Sequence, residues 1–402
     1  MNKYILFIFS ILLFSCNSKP KKEALYGFWS KEIAHFYDDP INVDFNDTIK
    51  EIEIKNENIS PVRYYPYGFA INENEFETFN AYTEILNDSA SDKKIIKYYD
   101  NRIPYKLIED SLFILDPIKK KWTLLWKIDN IKKDTLFVTL ISSGKKRKYI
   151  RLKDYYIKND FDKIVFSSTG CYGNCPILDI IIDKNGKIIF KGEEYVNQIG
   201  YFKKQLSKEE TKYIFDKFNR LDLNKLKDKY IANHTDDEAY VVSLIKKGKI
   251  IKTITDYGLV APRELIWCYD RIKNIQNKYK LDSINSKELF HPELRYFAFK
   301  KDSLILKLKK SESFYLWSEL NNSQSIKKEF KAIYELIYYN AEDMFWDDKK
   351  GDYIVKKKKI KKILTDGRYY KIVYLDKREK VFDLGYNFIE RNFSHKDFLI
   401  GD

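Results

Sequence analysis

The chain has 402 residues, 44% hydrophobic and 16% aromatic, which excludes a disordered polypeptide and provides for roughly two to four domains. Its formal charge is +14, from 73 Lys and Arg against 59 Asp and Glu. The bases are interspersed with acids and form no arginine-rich stripe or base-reading motif, so charge pattern argues against nucleic acid as a partner. Abundant Tyr (32), Lys, Ile and Asn beside scarce Gly (14) reads as the codon bias of an AT-rich genome.

Residues 1–15 have the form of an export signal. Lys3 supplies the positive start, and 5–14 is an apolar run too short to span a bilayer. Leu13-Phe14-Ser15-Cys16 resembles a bacterial lipobox, with Leu at −3, a small residue at −1 and a lipid-accepting cysteine; Phe14 is bulkier than usual at −2. The resemblance implies acylation of Cys16, removal of 1–15, and attachment by more than one chain, which makes anchoring stable. An ordinary secretory signal with an incidental cysteine is the alternative. Residues 16–24 then serve as a polar, Pro-containing tether without an acidic cluster, which favours a periplasm-facing location in the cell envelope.

Residues 25–155 carry short β-type runs at 49–54, 105–115, 122–128, 136–141 and 149–152, separated by Asp and Lys/Asn clusters. Gly27-Phe28-Trp29 at the first strand, followed by a meander, resembles the small lipocalin-like domains of exported bacterial proteins. That resemblance implies a barrel with the Trp plugging one end; an open antiparallel sheet is the alternative. A closed barrel is the best candidate for a small apolar ligand. Tyr64, Tyr65, Tyr67 and Phe69 could face a glycan or a protein partner, against the plainer reading of packing.

Residues 160–282 form the second unit. A strand is predicted at 177–183, a turn at Asn185-Gly186 and a returning strand at 187–191. Ser207-Lys208-Glu209-Glu210 is a capping box opening a helix that carries Tyr213, Ile214, Phe215, Phe218 and Leu221 toward a core. A hairpin at 240–245 and 249–254 turns at Lys247-Gly248, and Pro262 opens a last helix at about 263–275. With Cys171-Tyr172-Gly173-Asn174-Cys175-Pro176, Thr235-Asp236 and Asp256-Tyr257, this order resembles an exported bacterial domain-of-unknown-function family with a Cys-x-Gly-x-Cys-Pro signature. The resemblance implies no particular activity.

Residues 283–402 read as a degenerate repeat of that unit. A helix over 326–341, Thr365-Asp366, a hairpin at 369–375 and 379–382, and Asp383 echo their counterparts; chance similarity is the alternative. The fold class is therefore α+β and β-rich: an N-terminal antiparallel β meander or barrel followed by two helix-plus-hairpin α+β units. The basic run Lys356-Lys357-Lys358-Lys359 with Lys361 and Lys362 reads as a solvated edge, with anionic head groups as the alternative.

Two clusters bear on chemistry. Cys171 and Cys175 enclose Gly173 and Asn174, and so short a loop can bring them within disulfide range in an oxidising compartment. Redox catalysis would want a Cys-x-x-Cys at a helix N-terminus, which is not the pattern here. Zinc on Cys171, Cys175, Cys268 and His234 is a second alternative, but Cys268 shares an apolar helix stripe with Leu265 and Ile272. The other cluster is His234-Thr235-Asp236-Asp237-Glu238 with Asp256-Tyr257. His234, Asp236, Asp256 and Tyr257 are the candidate ligand or metal residues; the plainer reading is that Asp236 and Asp256 organise turns. With four histidines in the chain and no nucleophile elbow, phosphate loop or His-Glu-x-x-His, the enzyme reading is the weaker one and no cofactor is implied. The favoured function is a lipid-anchored cell-envelope binding or interaction module whose partner is a small apolar ligand, a glycan or an envelope protein. The alternative is a metal-dependent hydrolase centred on His234, Asp236 and Asp256.

Overall fold

The computed structural model describes residues 21–31, 68–79, 81–87, 94–152, 157, 159–285, 294–340, 344–347, 352–355 and 360–400. The export signal, Cys16, the 49–54 run, Tyr64, Tyr65, Tyr67 and Lys356 to Lys359 lie outside these residues. The chain divides into two compact units, Met1–Ile85 with Tyr99–Asp154, and Leu86–Tyr98 with Tyr155–Asp402. No helix among the described residues is long and apolar enough to cross a membrane.

The first unit is a closed eight-stranded barrel. Its strands are β1 (Gly27–Lys31), β2 (Gly68–Ile71), β3 (Glu75–Thr78), β4 (Arg102–Ile108), β5 (Ser111–Leu115), β6 (Trp122–Lys132), β7 (Thr135–Leu140) and β8 (Lys146–Arg151). Neighbours in sequence are neighbours in space, and β8 closes on β1 with Trp29 opposite Arg151. The predicted 105–115 run is two strands: Glu109 adopts φ +57°, which lets the chain reverse before Ser111.

Alternation decides what faces inward. Leu112 and Ile114 on β5, and Leu136 and Val138 on β7, are fully buried between half-exposed neighbours. The interior is filled by aromatic rings around Phe69, whose centroid lies 4.6 Å from Trp126, 4.9 Å from Tyr149 and 5.2 Å from Phe76. Trp29 donates its indole N–H to the Leu25 carbonyl at 2.8 Å, and the Arg151 guanidinium lies 4.2 Å over its ring. Gly27 lies beneath that guanidinium at φ +128°, a conformation that glycine adopts without strain, with Arg151 Nη1 2.9 Å from where a Cβ would stand. The Gly-x-Trp motif thus packs the barrel. Phe69, one of the aromatics offered above as partner-facing, is part of that core.

The second unit holds two eight-stranded sheets. The first contains β9 (Lys163–Ser168), β10 (Ile177–Asp183), β11 (Lys187–Glu194), β12 (Gly200–Gln205), β13 (Lys229–Ile231), β14 (Ala239–Lys246), β15 (Lys249–Tyr257) and β16 (Asp282–Ser283). Their order is β13-β15-β14-β9-β10-β11-β12-β16. One face is covered by α1 (Lys208–Asn219) and α2 (Arg263–Lys273), through Ile214, Phe218, Leu265, Cys268, Tyr269 and Ile272; α3 (Ile275–Lys278) follows α2.

The other face receives α4 (Lys310–Asn322), and beyond it the second sheet. That sheet contains β17 (Leu294–Lys301), β18 (Leu304–Lys307), β19 (Gln324–Ile326), β20 (Tyr334–Asn340), β21 (Ile360–Thr365), β22 (Tyr369–Tyr374), β23 (Glu379–Asp383) and β24 (Leu399–Ile400), with α5 (Phe388–Asn392) before the last. Its order is β19-β23-β22-β21-β20-β17-β18-β24. Val165, Ile181 and Ile245 of the first sheet and Phe299, Ile363 and Ile372 of the second bury α4 between them. Phe314, Tyr315, Leu316, Trp317 and Leu320 of that helix are all buried, as an element packed on both sides requires.

The helix expected over 326–341 is absent. Residues 334–340 are strand β20, with Leu336 opposite Phe299 of β17, and the helix of this region is α4, earlier in the chain. The helical spacing of Ile326, Phe330 and Tyr334 is real, but sheet pairing overrides it, as packing routinely overrides propensity. The two sheets nevertheless share a winding order. In each, a short edge strand follows the first helix, the strands after it run inward in descending order, those before it follow in ascending order, and a two-residue strand ends the far edge.

Candidate functional site: two loops at one end of the first sheet

Strands β9 and β14 are neighbours in register from Lys163 opposite Ile245 to Ser168 opposite Tyr240. Their pairing delivers the cysteine loop and the His234 loop to the same end of the sheet. Beyond the ladder, Thr169 N–H donates to the Ala239 carbonyl at 3.0 Å, and Ala239 N–H donates back to Thr169 Oγ1 at 3.0 Å. Ser168 ties the loop mouth, donating its hydroxyl to the Pro176 carbonyl at 2.6 Å and accepting from Leu178 N–H at 3.2 Å.

Cys171 and Cys175 are disulfide-bonded, with Cα atoms 5.6 Å apart. The closed loop holds Tyr172 outward at 92% exposure while its N–H donates to the Asp236 carbonyl at 2.9 Å. That hydrogen bond joins the two clusters singled out in the sequence. With both sulfurs in the bond, neither is a thiolate ligand; Cys268 is buried in α2 and donates its S–H to the Glu264 carbonyl at 3.2 Å.

The His234 loop turns at Asp236, whose φ of +68° is the left-handed conformation that Asp tolerates better than most residues. His234 Nε2 lies 2.9 Å from Asp237 Oδ2, so its carboxylate partner is Asp237 and not Asp236. Asp237 N–H donates to Tyr257 Oη at 3.0 Å, and the His234 and Tyr257 ring centroids are 6.3 Å apart. Asp236 Oδ2 accepts from the Thr235 hydroxyl. Gly258 lies directly beneath: at φ +78°, an added Cβ would stand 2.6 Å from Ala232 Cβ and 3.3 Å from His234 Nε2.

Asp256 is wholly buried under this surface. Its Oδ1 accepts from Val260 N–H at 2.9 Å and Ala261 N–H at 3.1 Å, which organises the loop entering α2. Burial pushes its carboxyl up to about 6 against the pull of those two amides, and Asp237 adds to the rise. Burial also raises Tyr269 and Tyr240, the first facing Asp256 and the second donating its hydroxyl to Glu238 Oε1. Of the four candidate ligand residues, the structure brings His234 and Tyr257 to the surface together, points Asp236 at Thr235 and turns Asp256 inward. Among the described residues no three His, Cys, Asp or Glu side chains are grouped as a metal site would need.

Sequence reasoning missed Asp237 as the His234 partner and Tyr172 as the exposed tip. It also passed over the charges under the sheet. Asp179 interrupts the apolar run of β10, and that interruption was the available signal.

Residues 162–276 match the family described as a domain of unknown function, DUF6438. The match spans the first sheet from β9 to β15 with α1 and α2, and so contains both loops. No curated protein and no solved structure matches the chain.

Proposed function

We propose that the protein is a lipid-anchored interaction module of the cell envelope, held by an acylated Cys16 and engaging its partner through the Tyr172 and His234 loops. The observation that carries this reading is Tyr172 at 92% exposure on a loop closed by a disulfide. A large aromatic held rigidly in solvent costs folding something and contributes nothing to a core, and aromatics with little conformational freedom to lose are the residues that anchor interfaces. His234, Asp237 and the Tyr257 hydroxyl beside it supply hydrogen-bonding groups on the same surface. The barrel is the weaker place for a ligand, since rings around Phe69 occupy its interior.

The test places a photo-crosslinking amino acid at position 172, and a control at exposed Ile251 on β15, in the full chain in its host envelope. A discrete adduct at 172 that is absent at 251 and lost in His234→Ala supports the reading; equal adducts at both positions overturn it. Anchoring is read separately, by palmitate labelling that must vanish in Cys16→Ala. Labelling that persists there would remove the anchor from the proposal while leaving the surface in place.

A further inference from the structure

Beneath the first sheet, on the face toward α4, lie four charged side chains that neither loop uses. Asp179 of β10, Lys191 and Glu193 of β11, and Lys310 in the first turn of α4 converge there. The Asp179, Glu193 and Lys310 side chains are 3%, 9% and 2% exposed. Lys310 Nζ stands 3.6 Å from Asp179 Oδ2 and 3.4 Å from Glu193 Oε1, and donates to the Ser168 carbonyl at 2.8 Å. A charge-assisted hydrogen bond would bring an ammonium to about 2.7–2.9 Å from its carboxylate. The amine sits between two carboxyls, at the long end of ion-pair contact with each.

We propose that Lys310 and Asp179 condense to an intramolecular isopeptide bond, with Glu193 as the proton shuttle. The geometry supplies each requirement. Lys310 Nζ is held 3.6 Å from an oxygen of the carboxyl it would attack, and burial on both sides fixes the two groups side by side. The site is dry, and the condensation proceeds from the neutral acid and the neutral amine. Burial raises the Asp179 carboxyl against the pull of Lys310 and Lys191, and Glu193 adds to the rise. Glu193 is held in place by Lys191, whose Nζ lies 3.0 Å from its Oε1.

The step balances without an external reagent. The lone pair of Lys310 Nζ attacks Asp179 Cγ, forming a C–N bond, and Glu193 takes a proton from the nitrogen. Glu193 then delivers that proton to the departing hydroxyl of Asp179; the C–O bond breaks, one water leaves, and Glu193 returns to its starting state. Asp179 is the acyl partner because Lys191 engages Glu193. The product would tie the middle of β10 to the start of α4, fastening the first sheet to the helix that fills its second face.

The test is a peptide map of the full-length chain, reduced first so that the Cys171–Cys175 bond does not contribute. The expected result is one branched species joining the peptides that carry Asp179 and Lys310, lighter than their sum by one water, with no tryptic cleavage after Lys310. Glu193→Gln keeps both bonding residues and should leave most chains unlinked yet folded by circular dichroism. Two linear peptides of full mass from the wild-type chain, with cleavage after Lys310, would overturn the proposal. So would a branch at Glu193 in place of Asp179. Neither outcome depends on how any variant folds.

Discussion

The Glu210 carboxylate and the Arg271 guanidinium, 61 residues apart, form a buried pair that joins α1 to α2. Arg271 Nη2 donates to Glu210 Oε2 at 2.6 Å and Arg271 Nε donates to Oε1, with the side chains 3% and 1% exposed. Lys278 Nζ and the Tyr279 hydroxyl each donate to the same Oε2 at 3.1 Å. Glu210 stands where a capping box would place its third helical residue. Ser207 makes its half of that motif, accepting from Glu210 N–H at 3.1 Å, but the Glu210 side chain is drawn to Arg271.

Removing one partner would leave the other charge buried, so Glu210→Ala should destabilise the second unit by about 3–5 kcal/mol. Burial acts to raise the Glu210 carboxyl, but Arg271 and Lys278 outweigh it and hold it below its ordinary range. This contribution is present above the ordinary glutamate range and is lost as pH falls through the lowered value. Urea unfolding of wild type and Glu210→Ala at neutral and acid pH checks both: the gap between them should narrow in acid.

Asp256 should behave in the opposite sense. Its carboxyl is raised from 3.8 to about 6, so the folded state holds a proton that the unfolded chain releases. Its contribution is fully present below about pH 4 and is lost as pH rises through 6, a change on the order of 3 kcal/mol. Asp256→Asn keeps an oxygen for Val260 and Ala261 N–H without the buried charge, so it should exceed wild type at pH 7. The difference between the two proteins should shrink toward pH 4. A variant that is less stable at pH 7 by the same margin at both pH values would show that the amide cannot hold the 258–262 loop.

Breaking the disulfide should act locally. Closing so short a loop contributes about 2 kcal/mol in the chain-entropy model. Cys171→Ser with Cys175→Ser should lower stability by about that amount and leave the sheet intact, because Ser168 and Thr169 anchor the loop through bonds of their own. Hydrogen exchange is the direct readout. Protection of the Tyr172 amide, which donates to the Asp236 carbonyl, should fall while that of Val165 and Ile181 is unchanged.

How far the molecule was legible beforehand follows from where its signals were local. The strand β7 announces itself as a nearly continuous apolar run, the Ser207 cap by its spacing, and the Asp256 turn by the Gly258–Pro262 stretch after it, whereas β5 was hidden inside one 105–115 run because its alternation is one of burial and not of residue type. The helix α4 did not, because a helix buried on both sides has no polar stripe to reveal its period, whereas 326–341 has one and is not a helix. The His234 loop was visible as a cluster, but its pairing with Asp237 depends on the left-handed turn at Asp236, which spacing alone does not specify.

The span of the family match differs from the span of the core. Residues 162–276 include the whole of β9 to β15, but among the described residues the face that carries Val165, Ile181 and Ile245 is covered by α4 and the second sheet, which lie outside that span. Asp179 and Lys191 sit on that same face, with Lys310 outside the matched segment. A fragment cut at 162–276 would therefore expose apolar strand surface together with charges meant for burial, and exposed contiguous apolar surface drives association. We expect the fragment to bind a hydrophobic dye and to elute as aggregates or oligomers, and a 155–402 fragment to elute as a monomer without dye binding. A 162–276 fragment that is monomeric, dye-free and cooperative in urea would show that α4 covers a face able to stand in water, and that the family domain folds by itself.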